Sequence, residues 1–206
     1  MTSDDFDDAS QPDDDFPDRT VRLPPGDRSL AGTSQQGRDM MFAELAGVDM
    51  TEADFYWGMF HDAVLEDAIL TRCDLRGATF NGANLRRADL RQANCALDNL
   101  GGSTDFVGAD LSAADLSRAD IGGADFTDAK LIGANLSAAN AISALPAHRI
   151  TRFNGADLTD ARLGGARLNG ATYDERTVFP RGFKPDQAGM VRHIGSRKKR
   201  KAKPSS

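Results

Sequence analysis

The chain is poor in the residues that catalysis and metal binding rely on. Its 206 residues include three histidines, two cysteines, one tryptophan and two tyrosines. His61, His148 and His193 lie too far apart in sequence to form a metal-ligand pair, and none has a recognisable serine or cysteine partner. The glycines form neither a G-x-G-x-x-G nor a P-loop motif. These lacks predict no enzyme, no bound metal and no cofactor. Long apolar runs are also missing, so no segment is expected to span a membrane. The start, Met1-Thr2-Ser3-Asp4-Asp5, has no basic segment leading into an apolar one, hence no expected signal peptide. A soluble cytoplasmic protein is the expectation, in keeping with a mean hydropathy of −0.45.

What the chain does have is a five-residue beat. An apolar centre recurs from Met40 through Leu45, Met50, Phe55 and so on to Leu100. After one extra residue it resumes at Phe106 and runs to Ala141, and after a longer break it runs from Phe153 to Tyr173. Of the 26 positions two residues before these centres, 19 are alanine. Cys73 takes one such alanine place and Cys95 one of the centres, so both read as small core residues, with no disulfide or metal role.

This period excludes regular elements. On a helix, a five-residue step turns each centre about 140° from the last, so no stripe forms. On a flat strand, an odd step sends successive centres to opposite faces. The pattern works if each pentad is a short extended piece followed by a corner. Alanine and centre, two apart, then point inward together, and the two residues after the centre turn the chain. Coils built this way stack at strand spacing and bury a narrow core.

Ala83-Asn84-Leu85-Arg86-Arg87, Ala88-Asp89-Leu90-Arg91-Gln92, Ala109-Asp110-Leu111-Ser112-Ala113 and Ala124-Asp125-Phe126-Thr127-Asp128 resemble the A-(D/N)-(L/F)-X-X unit of pentapeptide-repeat proteins. The resemblance covers about two-thirds of the chain. It implies an all-β fold, a right-handed quadrilateral parallel β-helix with four pentads per coil. The repeats would make about 6 to 7 coils, a rod about 31 Å long at roughly 4.8 Å per coil.

The expected organisation is an acidic disordered tail over 1–27, the β-helix with its caps over 28–183, and a basic disordered tail over 184–206. Residues 1–27 hold nine Asp and two Arg, net −7, and residues 191–206 hold seven Lys or Arg and no acid, net +7. Neither tail can bury enough apolar surface to order itself. The break at 98–106 reads as a one-residue bulged corner through which the coil continues. The break at 142–151 contains Pro146, His148 and Arg149, and reads as a projecting loop, either a plain connector or a contact site. Residues 28–42 read as an amino-terminal cap. Thr177-Val178-Phe179-Pro180-Arg181-Gly182-Phe183 reads as a closing segment over the last coil, or as the seat of an end-to-end dimer.

Outward positions are mostly polar. Asp105, Asp110, Asp115, Asp120 and Asp125 should ring the rod, while Arg152, Arg162 and Arg167 take the same places near its carboxyl end. Tyr56, Trp57 and Met59 are the exception. Gly37 and Gly77 fall one coil to either side of Trp57 and leave room for its indole. This patch is either covered by the amino-terminal segment or binds a partner.

The expected function is a non-catalytic protein-interaction scaffold with an unidentified protein partner, with Tyr56, Trp57, Met59, His148 and Arg149 as candidate contacts. Some pentapeptide-repeat proteins mimic duplex DNA and bind bacterial type II topoisomerase, which makes gyrase inhibition or protection the alternative. Duplex DNA carries about one charge per 1.7 Å, roughly 18 over such a rod. Residues 28–190 carry −6. A further alternative is weak, non-specific binding of nucleic acid or an anionic surface through Arg197, Lys198, Lys199, Arg200, Lys201 and Lys203.

Overall fold

A computed structural model of the chain describes residues 28–143 and 150–194. The backbone winds as a four-sided parallel β-helix. Each short strand pairs with the strand 20 residues on, as in Ser29 with Asp49, Glu44 with Val64 and Asp54 with Asp74. Four pentads therefore close one coil, as the family resemblance implies. The outward residues stack in four columns. The first face runs Asp39, Met59, Thr79, Asp105, Asp125, Arg152, Thr172 and Val191. Its eight levels span about 34 Å at strand spacing. The second face runs from Glu44 through Lys130 to Val178, the third from Ser29 through Asp115 to Arg162, and the fourth from Ser34 through Asp120 to Arg167.

Inside, the alanines and centres are almost wholly buried. The first face buries a stack of Phe60, Phe80, Phe106, Phe126 and Phe153, neighbours 4.7 to 5.2 Å apart and nearly coplanar. Cys73 and Cys95 are buried free thiols. Burial pushes the Cys73 thiol up to about 12 and raises that of Cys95 as well.

Away from the two insertions, the typical corner is a β-turn closed by the N–H three residues after the centre, as in Ala43 to the Met40 carbonyl at 3.1 Å. The second residue after the centre has positive φ, which marks the type II turn. Glycine suits that place, yet thirteen other residues hold it at φ 54 to 60°, Phe42 and Trp57 among them. The Asp or Asn before the centre caps the turn. Its Oδ1 accepts the N–H of the residue after the centre, at 2.8 to 3.3 Å, in fifteen pentads. The aspartates thus have a structural role at the corners they precede.

The structure corrects four expectations. The break near 98 is an insertion of six residues, since Thr79 pairs with Asp105 and not with residue 99. Leu100, read as an inward centre, is 81% exposed. The cause is Asp98 in an alanine place, where a carboxylate cannot face the apolar axis. The chain loops out there and re-enters at Thr104, which is buried and donates to the Leu75 carbonyl at 2.8 Å. The second break adds seven residues, since Asp125 pairs with Arg152. It re-enters in the same way at buried Thr151, whose hydroxyl donates to the carbonyls of Ile121 and Ala141.

At the amino end, residues 28–42 are ordinary coil and form no separate cap. Their inward places are polar: Arg28, Thr33, Gln35 and Arg38 stand where the next coil has Val48, Ala53, Phe55 and Gly58. The first coil is its own polar terminus. At the other end the ordered chain continues past 183. Strand β1 (Thr172–Tyr173) pairs in parallel with β2 (Val191–Arg192), so part of the expected basic tail is solenoid. Tyr173 meets Phe179 edge to face and Phe179 stacks on Phe183, the Tyr173 hydroxyl donates to Asp186 at 2.9 Å, and Met190 is buried over this end.

Candidate functional site

One corner differs from the other three. It lies between the fourth and first faces, and its successive levels carry Gln36-Gly37, Tyr56-Trp57, Arg76-Gly77, Ala96-Leu97, Gly122-Gly123, Ile142-Ser143 and Asn169-Gly170. Both insertions leave the rod here, the first after Leu97 and the second after Ser143. The aromatic pair singled out by sequence therefore shares a ridge with both breaks.

The ridge is held together at Asp98. This side chain is 1% exposed and accepts from the Tyr56 hydroxyl at 3.0 Å, the Trp57 Nε1–H at 2.8 Å and the Gly102 N–H at 2.5 Å. Burial raises the Asp98 pKa, but the donors from Gly102, Tyr56 and Trp57 outweigh it and leave the carboxyl below its ordinary 3.8. The carboxylate is ionised at neutral pH and latches the inserted loop onto the aromatic pair. Arg76 adds a cation over the Tyr56 ring at 5.5 Å and pairs with Asp74 at 2.5 Å.

The indole of Trp57 lies over Gly77, where a Cβ would come within 3.0 Å of the ring, and over Gly102, where it would come within 2.6 Å. Gly77 thus serves as expected, whereas Gly37 has open space around it and plays no part. Gly123, one level on, has no side chain in the way of Leu97, which lies across it. Trp57 remains 46% exposed, and Leu100, in the loop pinned to it through Asp98, is exposed as well. Among the described residues, the inserted loop and not the amino-terminal coil half-covers the patch. Met59 begins the adjoining first face and is half-buried.

His148 and Arg149 lie outside the described residues, as do Arg197, Lys198, Lys199, Arg200, Lys201 and Lys203. Asp98, Leu100 and Gly102 were not anticipated. A signal for them was present: a carboxylate in an alanine place, followed by paired glycines.

Among the described residues no three His, Cys, Asp or Glu side chains are grouped to hold a metal. No helix there is long and apolar enough to cross a membrane. His61 shares a hydrogen bond with Thr79 at 3.0 Å on the opposite side of the first face.

Comparison with known proteins agrees with this architecture. The family model for pentapeptide repeats matches in 8 copies, over residues 60–94, 104–144 and 151–172. The gaps between the matched blocks fall at the two insertions. Among solved structures, the chain is similar to HetL, a pentapeptide repeat protein involved in heterocyst differentiation regulation in the cyanobacterium Nostoc sp. strain PCC 7120. That likeness has 28% identity over 79% of this chain and 71% of HetL, with a TM-score of 0.39. A second pentapeptide repeat protein from Nostoc PCC 7120 is 32% identical over 66% of this chain and 84% of its own, TM-score 0.26. QnrB1, a plasmid-mediated fluoroquinolone resistance protein, is 22% identical over 71% of this chain and 90% of its own, TM-score 0.32. No curated protein matches. The repeat match and the 20-residue ladder give the fold as a right-handed quadrilateral β-helix.

Proposed function

Since the chain belongs to the pentapeptide-repeat family, a solenoid whose sequence variety lies on its outer surface, we propose that it is a non-catalytic protein-interaction scaffold that docks a partner on the Trp57 ridge. The observation that carries this reading is the Asp98 latch. A six-residue insertion is pinned onto Tyr56 and Trp57 in a way that presents Leu100 and part of the indole to solvent. A rigid aromatic anchor beside an exposed aliphatic one is the composition of an interface centre. The solenoid core needs neither residue, because the ladder closes without the insertion.

Quantitative pull-down with the purified protein, read by mass spectrometry, tests the proposal. Partners that bind through the ridge should disappear from both Trp57→Ala and Leu100→Asp. Recovery of the same partners by both variants would rule the ridge out.

The topoisomerase alternative draws on the acidic rod. Residues 28–143 hold seventeen Asp or Glu and nine Lys or Arg, net −8. The turn-capping role of the aspartates accounts for most of these carboxylates without reference to a partner. A gyrase supercoiling assay, with and without a quinolone, separates the two readings. The scaffold reading expects no effect up to large molar excess, and inhibition or protection at stoichiometric protein would replace it.

A further inference from the structure

The corner between the third and fourth faces lies across the rod from the first face, and its charge changes along the axis. Level by level, the outward residues of these two faces run Asp115 and Asp120, then Asn135 and Asn140, then Arg162 and Arg167. The two Asn amides donate to the Asp115 and Asp120 carboxylates at 3.2 and 3.1 Å, which occupies the last acids of both columns. Beyond them these columns carry no carboxylate; the nearest, Asp160, sits one corner away. The corner is also stripped of bulk. Ser117, Ser137 and Ala138 give way to Gly164-Gly165, where an added Cβ would meet nothing nearer than 3.9 Å. A groove of about 420 Å³ lies on the same corner at the preceding levels, lined by Arg91, Arg118, Asn135, Ser137 and Ala138 among others.

Seven of the described arginines pair with carboxylates, among them Arg72 with Glu52, Arg87 with Asp67, Arg91 with Asp89 and Arg152 with Asp125. Arg118, Arg162 and Arg167 have none among the described residues, and all three are exposed. Three unpaired guanidinium groups beside a bare backbone corner make a carboxylate-accepting surface, since the planar fork of arginine matches that group.

The chain itself supplies the ligand. Residues 1–27 hold nine aspartates, net −7. They join the rod at Arg28-Ser29, and Ser29 heads the same third-face column that passes Asp115 and Asn135 and ends at Arg162. That column spans six strand spacings, about 29 Å. Asp13, Asp14 and Asp15 lie at least thirteen residues before Arg28, a reach of about 43 Å when extended. We propose that the acidic segment 1–27 docks in cis along this corner, with its aspartates on Arg118, Arg162 and Arg167. Tethering raises the local carboxylate concentration to the order of millimolar, enough for contacts that would be negligible between separate molecules. The contact stands apart from the Trp57 ridge, and its failure would leave that reading untouched.

Paramagnetic relaxation on the full chain tests it. Cys73 and Cys95 are buried, so a Ser10→Cys substitution takes the spin label selectively. Isotope-labelled, spin-labelled protein is diluted into excess unlabelled protein. At low salt the amide signals of Ser117, Ser137, Gly164 and Gly165 should broaden, while those of Gly82 and Gly108 across the rod should not. The broadening should vanish at about 0.5 M salt, where the screening length falls to a few Å. It should vanish too in the Arg118→Gln, Arg162→Gln, Arg167→Gln triple variant, whose unchanged melting temperature would show an intact rod. Equal broadening on both sides, no broadening, or broadening that survives the triple variant would overturn the proposal. So would broadening seen only when the spin label and the isotope are on different copies, because the occupant would then be a second molecule.

Discussion

Removing the Asp98 carboxylate is the sharpest test of how the ridge is built. Three hydrogen bonds end on this group, from Tyr56, Trp57 and Gly102. A hydrogen bond to a charged group contributes about 1.5 to 3 kcal/mol. The full sum does not apply, because Tyr56 and Trp57 are partly exposed and regain water when the latch opens. Asp98→Ala should therefore cost about 2 to 3 kcal/mol in urea unfolding followed by ellipticity. Asp98→Asn keeps an acceptor and should cost about 1 kcal/mol. Trp57 is the only tryptophan, so its emission reports the loop directly and should shift to the red in Asp98→Ala before any denaturant is added. The sign with pH follows from the depressed carboxyl. Its stabilisation is complete above the ordinary value of 3.8 and is lost as pH falls through the lower value of the folded state. Emission should be flat from neutral pH down to about 4 and change only below. A loss under about 0.5 kcal/mol with unshifted emission would refute the latch.

Gly123 and Gly133 both have positive φ, but Leu97 fills the space a Cβ would need at the first and nothing does at the second. Gly133→Ala should cost about 1 kcal/mol of backbone strain and Gly123→Ala at least twice that, with the difference read from paired urea midpoints. Asp115→Asn keeps the turn acceptor and should leave stability within about 0.5 kcal/mol, whereas Asp115→Leu, which removes it, should cost about 1 kcal/mol. Cys73, raised to about 12 from an ordinary 9.0, should resist a thiol reagent until the protein unfolds. Because a raised thiol favours the folded state below the unfolded pKa, stability should decline as pH rises from 9 toward 12, as thermal melts at alkaline pH would show.

The sequence makes the repeat architecture legible because every pentad obeys one constraint. Its alanine and its centre must both face a narrow axis. Together with the four-pentad coil that the resemblance implies, that rule accounts for the 20-residue pairing and for the burial of both cysteines. It fails where a residue satisfies the beat for the wrong reason. Leu100 is apolar and falls on the beat, yet Asp98 two residues earlier cannot enter the axis, and the whole pentad leaves the coil. The inward residue of a pentad, not its centre, decides whether the pentad is used. The carboxyl end departs from the pattern for a different reason. Val191 and Arg192 carry no pentad signature, and their strand is set by the closing turn through Pro185 and Met190, a tertiary return that local pattern does not encode.

The same logic separates charge that builds the rod from charge available for recognition. An Asp before each centre caps its turn wherever it occurs, so an acidic ring such as Asp105 to Asp125 is expected of the architecture alone. Information lies where that cap has been given up. Met59, Val64 and Ile69 replace it on three consecutive faces of one coil, and Arg152, Arg162 and Arg167 on three faces of another. Each substitution forgoes a turn hydrogen bond of about 1 kcal/mol. Met59 of the apolar set adjoins the Trp57 ridge, while Arg162 and Arg167 flank the bare corner at the other edge of the fourth face. The rod thus has two differently equipped surfaces at different heights, one aromatic and latched, the other cationic and open. A molecule that engaged one would leave the other free.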